Sequence, residues 1–249
     1  MISVQTRNKW QGARYSAVVV LVTWWLVAWL VKLPIIPSPV AVFNNIIEVF
    51  KTRMEIHVWY SLARISAGIV LSLLVGVPLG FLMGYFDRAD RLLSPLVYFT
   101  YPVPKLALLP VVMLIFGLGE TSKLIMIVLI VIFQIIISAR DAVKGIPQEI
   151  YRSLQSLGAT RFQMLREIIV PASASEVLTS TRLALGTAIS ILFFTETFGT
   201  EYGMGYFIMD SWMRVNYLDM YAGIVVLSFM GFCLFTVIDI IENYLSSWR

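Results

Sequence analysis

The sequence predicts an all-α membrane protein with six transmembrane helices and both termini on the cytoplasmic side. Of its 249 residues, 59% are hydrophobic and only 14% are charged, against roughly 25% charged in a typical soluble domain. Uncharged runs such as 65–86 and 124–139 recur near the length that a bilayer requires. With a mean hydropathy of +0.82, the apolar surface exceeds what one soluble core can hide, and disorder is excluded. The 19 basic and 15 acidic residues fall mostly in short segments between the runs, which reads as topology information and excludes a nucleic-acid footprint. One cysteine, Cys233, and one histidine, His57, leave neither a disulfide pair nor a protein-only metal site within the chain.

The first span covers 15–33. Basic residues precede it, no small-residue cleavage site follows it, and Lys32 leads into Leu33-Pro34 and Pro37-Ser38-Pro39. It therefore reads as a retained anchor rather than a removable signal. Ser38 offers an N-cap with Pro39 at the first helical position. Val40, Phe43, Ile47 and Phe50 then recur at three or four residues, predicting an amphipathic helix at the outer interface, too polar to span.

The second span, 65–86, carries Gly68, Ser72, Gly76, Gly80 and Gly84 at an unbroken spacing of four. Such a ribbon of small side chains lets a neighbouring backbone approach closely where lipid gives no hydrophobic drive for association. Two readings stand: permanent packing, or a thin face that slides against another helix. The third span, 92–116, is kinked or broken at Pro95, Pro102, Pro104 and Lys105, and Gly117-Leu-Gly-Glu120 makes an outer turn. The fourth span is 124–139, the long cytoplasmic loop 140–176, the fifth span 177–199 and the sixth 220–241, with a polar Gly/Tyr-rich external link before the last.

Basic residues check this orientation. Arg7, Lys9, Arg14, Arg88, Arg91, Arg140, Lys144, Arg152, Arg161, Arg166 and Arg249 make eleven on the inner side, and Lys32, Lys51, Arg53, Arg64, Lys123 and Arg214 make six outside. The bias agrees with the positive-inside rule.

The loop 140–176 is the most informative segment. Ile150, Leu154 and Leu157 share one face of a short helix, and Phe162, Leu165 and Ile169 share one face of a second. Gly158 supplies a positive backbone angle between them, and Pro171 closes the second helix. Apolar stripes on such a helix-turn-helix need a protein partner or their own bundle, which makes the loop a docking candidate.

This loop resembles the EAA loop of ABC importer permeases, with Gly158 as its glycine and Ile168, Val170 and Pro171 as its Ile-x-Leu-Pro ending. The Glu-Ala-Ala triplet falls on Arg152-Ser153-Leu154 and is lost. Further landmarks are Pro34-Ile-Ile-Pro-Ser-Pro39, Ser61-Leu-Ala-Arg64, Tyr101-Pro-Val-Pro104, Leu106-Ala-Leu-Leu-Pro110, Phe116-Gly-Leu-Gly-Glu120 and Tyr202-Gly-Met-Gly-Tyr206. The pattern is similar to permeases for nitrate, sulfonates, taurine and bicarbonate, and permeases for thiamine-precursor pyrimidines and other vitamins share it. The resemblance implies a type I, methionine-permease-like fold in a prokaryotic cytoplasmic membrane. It also implies a homodimer of permeases, two ATPase subunits and an external solute-binding protein. Arg152, Ser153, Leu154, Gly158, Ala159, Thr160 and Pro171 would be the ATPase-coupling residues. No Gly-x-x-x-x-Gly-Lys-Ser/Thr loop occurs, so this chain is expected to hold no cofactor, with ATP and Mg bound by the partner ATPase.

Ionisable residues inside spans are functional candidates. Lys105 either faces the translocation pathway or snorkels and pairs at the helix break. Glu196, about 21 Å along a helix from Arg182, lines the external mouth, meets Lys105 across the bundle, or marks the span end. Phe193 and Phe194 form an apolar gate or simply pack. No acid, base and nucleophile stand at a recognisable spacing, so no enzyme is expected. The rival to a permease subunit is a self-sufficient secondary transporter or channel, which would need its own ion relay and no exposed loop at Gly158.

Overall fold

The computed structural model describes residues 4–245, with side chains from Tyr15 onward. In chain order the helices are α1 (Val4–Val31), α2 (Pro39–Val49), α3 (Glu55–Tyr85), α4 (Asp87–Thr100), α5 (Leu109–Phe116), α6 (Glu120–Lys144), α7 (Gln148–Ser156), α8 (Arg161–Met164), α9 (Val170–Glu196), α10 (Met204–Met213) and α11 (Tyr217–Leu245). Four described helical stretches are long and apolar enough to cross a bilayer, or five if the bent α4–α5 pair is one span. The apolar part of α1, Tyr15–Val31, is shorter. The side chains of Arg7, Lys9, Arg14 and Arg249, counted above toward the inner side, lie outside the described residues.

Ser38 caps α2, its Oγ accepting from the Ala41 amide at 3.3 Å, with Pro39 opening the helix. The helix does not stop at Phe50. A π-turn at Phe50–Met54 carries it into α3, so 39–85 forms one rod of 47 residues. Its packed side also differs from the expected stripe. Val42 and Val49 are buried in a cluster with Phe207 and Ala222, while Val40, Phe43 and Ile47 point outward. In lipid an outward stripe can be apolar too, so spacing alone does not say which side packs.

The small-residue ribbon of α3 lies along α6. An added Cβ at Gly68 would stand 2.4 Å from an Ile127 methyl, and one at Gly84 would stand 2.5 Å from Val143 Cβ. At Gly80 it would meet Ala139 Cβ at 2.6 Å and Ile136 O at 2.7 Å, atoms that cannot rotate away. Gly80→Ala is therefore expected to cost about 1–3 kcal/mol by overpacking. Gly76→Ala, whose nearest neighbour is an Ile135 methyl at 3.0 Å, should cost less. Thermal unfolding of the two purified variants checks that order, and equal midpoints would mean the α3–α6 approach is not close. The main core continues across α6 to α9 through Ile65, Met126, Val131, Ala184, Ala188 and Leu192.

The third span breaks as its prolines imply, with α4 and the segment Lys105–Phe116 bent by 78°. Pro95 lies inside α4 and does not interrupt it; the break falls at residues 101–104. Helix α6 extends past both ends of 124–139, and at its C-terminal end Arg140 and Lys144 both pair with Asp90 of α4.

Three further differences concern the second half. Pro171 does not close a helix: α8, a π-turn at Leu165–Ile169 and α9 run on as one helical stretch over Arg161–Glu196. A proline removes one backbone donor and crowds the carbonyl four residues back, and a wider π-turn just before it relieves both. This helical stretch accordingly begins well before residue 177, where the sequence places the start of a fifth span. The link before α11 contains a helix, α10, whose Met204, Phe207 and Ile208 are buried against α9 and α11. Its glycines and tyrosines suggested a loop because tertiary burial, not local propensity, makes it helical.

Candidate functional site

At one end of the bundle, α7 turns at Gly158 (φ +75°) into α8, where Thr160 and Gln163 form a capping box. The inward side of this hairpin rests on a cluster of Val143, Ile146, Met164, Ile168 and Ile169, against which Tyr85, Tyr151, Leu154 and Ala159 pack. The sequence stripes thus divide between two sides. Leu154 and Ile169 turn inward, whereas Leu157 is 83% and Phe162 71% exposed. Arg152, Ser153 and Thr160 are also exposed, and Pro171 is half-buried within α9, away from the turn. Burial pushes the Tyr151 phenol up, with the neighbouring Tyr85 adding to the shift, and its hydroxyl has no hydrogen-bond partner among the described residues. The result is a helical tip with bare apolar side chains, braced from behind by α3 and α6.

At the opposite end, a buried charged node joins four parts of the chain. Glu196 is fully buried and accepts from Arg64 Nη1 at 2.7 Å, Ser61 Oγ at 2.8 Å and the Gly205 amide at 2.9 Å. Arg64, itself 3% exposed, also grips both oxygens of Glu120, at 2.6 and 2.5 Å, and donates to Tyr202 O at 2.7 Å. Ser61 Oγ in turn accepts from the Met204 amide at 2.8 Å. Gly203 (φ +135°) leaves room for the carboxylate, since a Cβ there would stand 2.4 Å from Glu196 Cδ. Glu196 therefore neither lines an open mouth nor meets Lys105; its partner is Arg64. Arg64 and Lys123 had been counted as outer loop charges, yet both are buried, with Lys123 Nζ donating to Leu118 O at 3.1 Å. The available signal was Arg64 beside the uncharged run of the second span, where a cation needs a partner.

Lys105 sits at the break of the third span. Its Nζ donates to Thr100 O at 3.0 Å and Tyr101 O at 2.9 Å and lies 4.9 Å from the centre of the Phe133 ring. The ammonium thus caps the free carbonyls at the end of α4, where a helix dipole favours a cation. Lys105 also lines a cavity of about 460 Å³ together with Gln134, Thr187 and Ile191. Phe194 is exposed further along α9, and Phe193 meets it edge to face at 5.8 Å while remaining half-buried. The structure does not bring Glu196 to this cavity.

Residues 76–249 match the family described as binding-protein-dependent transport system inner membrane component. The taurine transport system permease protein TauC of Escherichia coli (strain K12) is 32% identical over 239 residues, covering 93% of this chain and 87% of that protein. The formylaminopyrimidine transport permease protein ThiX of Halalkalibacterium halodurans is 30% identical, covering 92% of each. Among solved structures, an inward-facing MetNI methionine ABC transporter superposes with a TM-score of 0.68 at 19% identity, covering 76% of this chain and 94% of that one, which identifies the fold. With its all-helical permease fold and these matches, the chain belongs to the binding-protein-dependent inner membrane components, the multi-pass, non-catalytic permease subunits of ABC importers.

Proposed function

We propose that this chain is one half of a permease homodimer with six spans per copy and both termini in the cytoplasm, importing a small polar or anionic solute. Six passes follow if the apolar part of α1 crosses, then the 39–85 rod, the bent third span, α6, the 161–196 stretch and α11. Two ATPase subunits bind the two Gly158 tips and hold ATP and Mg, while a solute-binding protein delivers from outside. ATPase closure draws the tips together, and the helices braced on them switch the cavity between its two openings. The observation that carries this reading is the tip itself: Leu157 and Phe162 are bare while the other side of the same hairpin is packed on α3 and α6. A helix offering such anchors suits a hydrophobic groove on a partner. TauC and ThiX favour a taurine-like or an aminopyrimidine-like solute.

Affinity purification of the tagged chain from its own membranes should recover a stoichiometric ATPase, and liposomes holding that complex should accumulate solute only with ATP inside reach of the ATPase. Solute uptake by the isolated chain in liposomes without ATP would overturn the reading in favour of a secondary transporter.

A further inference from the structure

A polar seam lies between α6 and α9. Several hydroxyls of the long helices bond back to their own helix: Ser72 to Gly68 O, Thr181 to Val177 O, Ser190 to Gly186 O, Ser228 to Ile224 O and Thr236 to Phe232 O. Gln134, Ser138, Ser180 and Thr187 have no hydrogen-bond partner among the described residues. Ser180 is only 8% exposed. Gln134, Ser138 and Asp141 follow one another at four and three residues on one side of α6, and Glu176, Ser180 and Thr187 lie along α9. The seam lines two cavities that share Tyr101 and Gln134. The first, about 460 Å³, holds Gln134 and Thr187. The second, about 270 Å³, holds Ser138, Ser180 and both carboxylates. From Gln134 to Asp141 is about 10 Å along the helix. Amide and hydroxyl groups at membrane depth require water or a solute when the protein gives them no partner.

The charges along the seam have an order. Asp141 and Glu176 are exposed at its inner end. The two cations nearby are held differently. Arg140 stands 3.8 Å from Asp141 but 2.8 Å from Asp90, and Lys105 is bonded to two backbone carbonyls. The Lys105 ammonium lines the first cavity with only neutral carbonyls as partners and one N–H donor unused, so it offers an acidic group a cation there, but a simple inorganic anion then meets two carboxylates on leaving. A solute bearing both an acidic and an ammonium group finds Lys105 for the first and the two carboxylates for the second.

Resting on the importer reading, we propose that this seam is the inward solute route, taking a small zwitterion or other amino-bearing molecule from the Gln134–Thr187 cavity to an Asp141–Glu176 mouth. The test uses the assembled transporter in inside-out vesicles, with Cys233→Ser as background and Ser138→Cys, Ser180→Cys or Thr187→Cys added singly. Each is treated with cationic and with anionic methanethiosulfonate reagents. The new thiols at 138 and 180 should react about tenfold faster with the cationic reagent, as expected for an acidic, low-dielectric mouth. Asp141→Asn with Glu176→Gln should abolish that preference while leaving the thiols reactive. Unreactive thiols at all three positions, in vesicles that still hydrolyse ATP, would overturn the route. Equal rates, or a preference for the anionic reagent, would overturn the amino-bearing class. Thiol labelling needs no transport cycle, so these outcomes are separate from a failure of ATP-driven uptake, which would count against the importer reading instead.

Discussion

Arg64→Met is expected to lower the unfolding midpoint of the purified permease by roughly 10 °C and to reduce the yield of assembled transporter. The reason lies in what the substitution leaves behind. Glu196 is fully buried, and without the guanidinium its carboxylate keeps only Ser61 Oγ and the Gly205 amide as donors. Removing one partner of a buried ion pair costs about 3–5 kcal/mol, because the other charge stays in a low-dielectric site. Glu120 also loses its two bonds, but its side chain is 53% exposed and water replaces them at little cost. The cost should therefore depend on Glu196. Adding Glu196→Gln to Arg64→Met should recover a large part of the loss, whereas adding Glu120→Gln should recover little. A double-mutant cycle read by thermal unfolding measures both couplings. If Arg64→Met unfolds at the wild-type midpoint, the node does not hold these ends of α3, α6 and α9 together.

Leu157→Asp should leave the permease folded but reduce ATP-driven uptake at least tenfold. Leu157 is 83% exposed, so a charge there disturbs little within the chain, and surface changes of this kind stay within about 0.5 kcal/mol. At a docking surface the same residue becomes a buried anchor, where truncation costs roughly 2 kcal/mol, or about thirtyfold in affinity. Leu157→Met, which keeps the apolar contact, should transport normally. Ala159 is a poorer position for this test because it packs on the Val143–Met164 cluster, and a charge there would damage the hairpin as well as its docking. The measurements are ATP-dependent uptake and co-purification of the ATPase. Normal uptake by Leu157→Asp would remove the tip from the coupling surface.

Some features of this protein are legible in the sequence because they depend on a few neighbouring residues. Ser38-Pro39 starts a helix through a side-chain cap and a fixed φ, and Gly158 turns the chain through a left-handed angle that other residues resist. Pro102 and Pro104 break the third span because they remove backbone donors. Small residues at intervals of four fall on one side of α3 by helix geometry alone. Long uncharged runs announce the bilayer in the same local way.

Other features depend on how the helices rotate and meet, and no local pattern records that. The Arg64–Glu196 bond joins residues 132 positions apart. Either charge is visible as an anomaly in an apolar run, but the choice of Arg64 over Lys105 as partner follows from the depth and rotation of α3 against α9. Helix α2 carries apolar residues on more than one side, so burial of Val42 rather than Phe43 is settled by where α11 lies. The continuation of the helix through Pro171 and the helix α10 likewise exist because packing on neighbours outweighs the local cost of a proline or a glycine. The physical reason is common to all of these. In a bilayer both the packed and the lipid-facing sides of a helix are apolar, so hydrophobicity reports that a helix spans but not which way it faces.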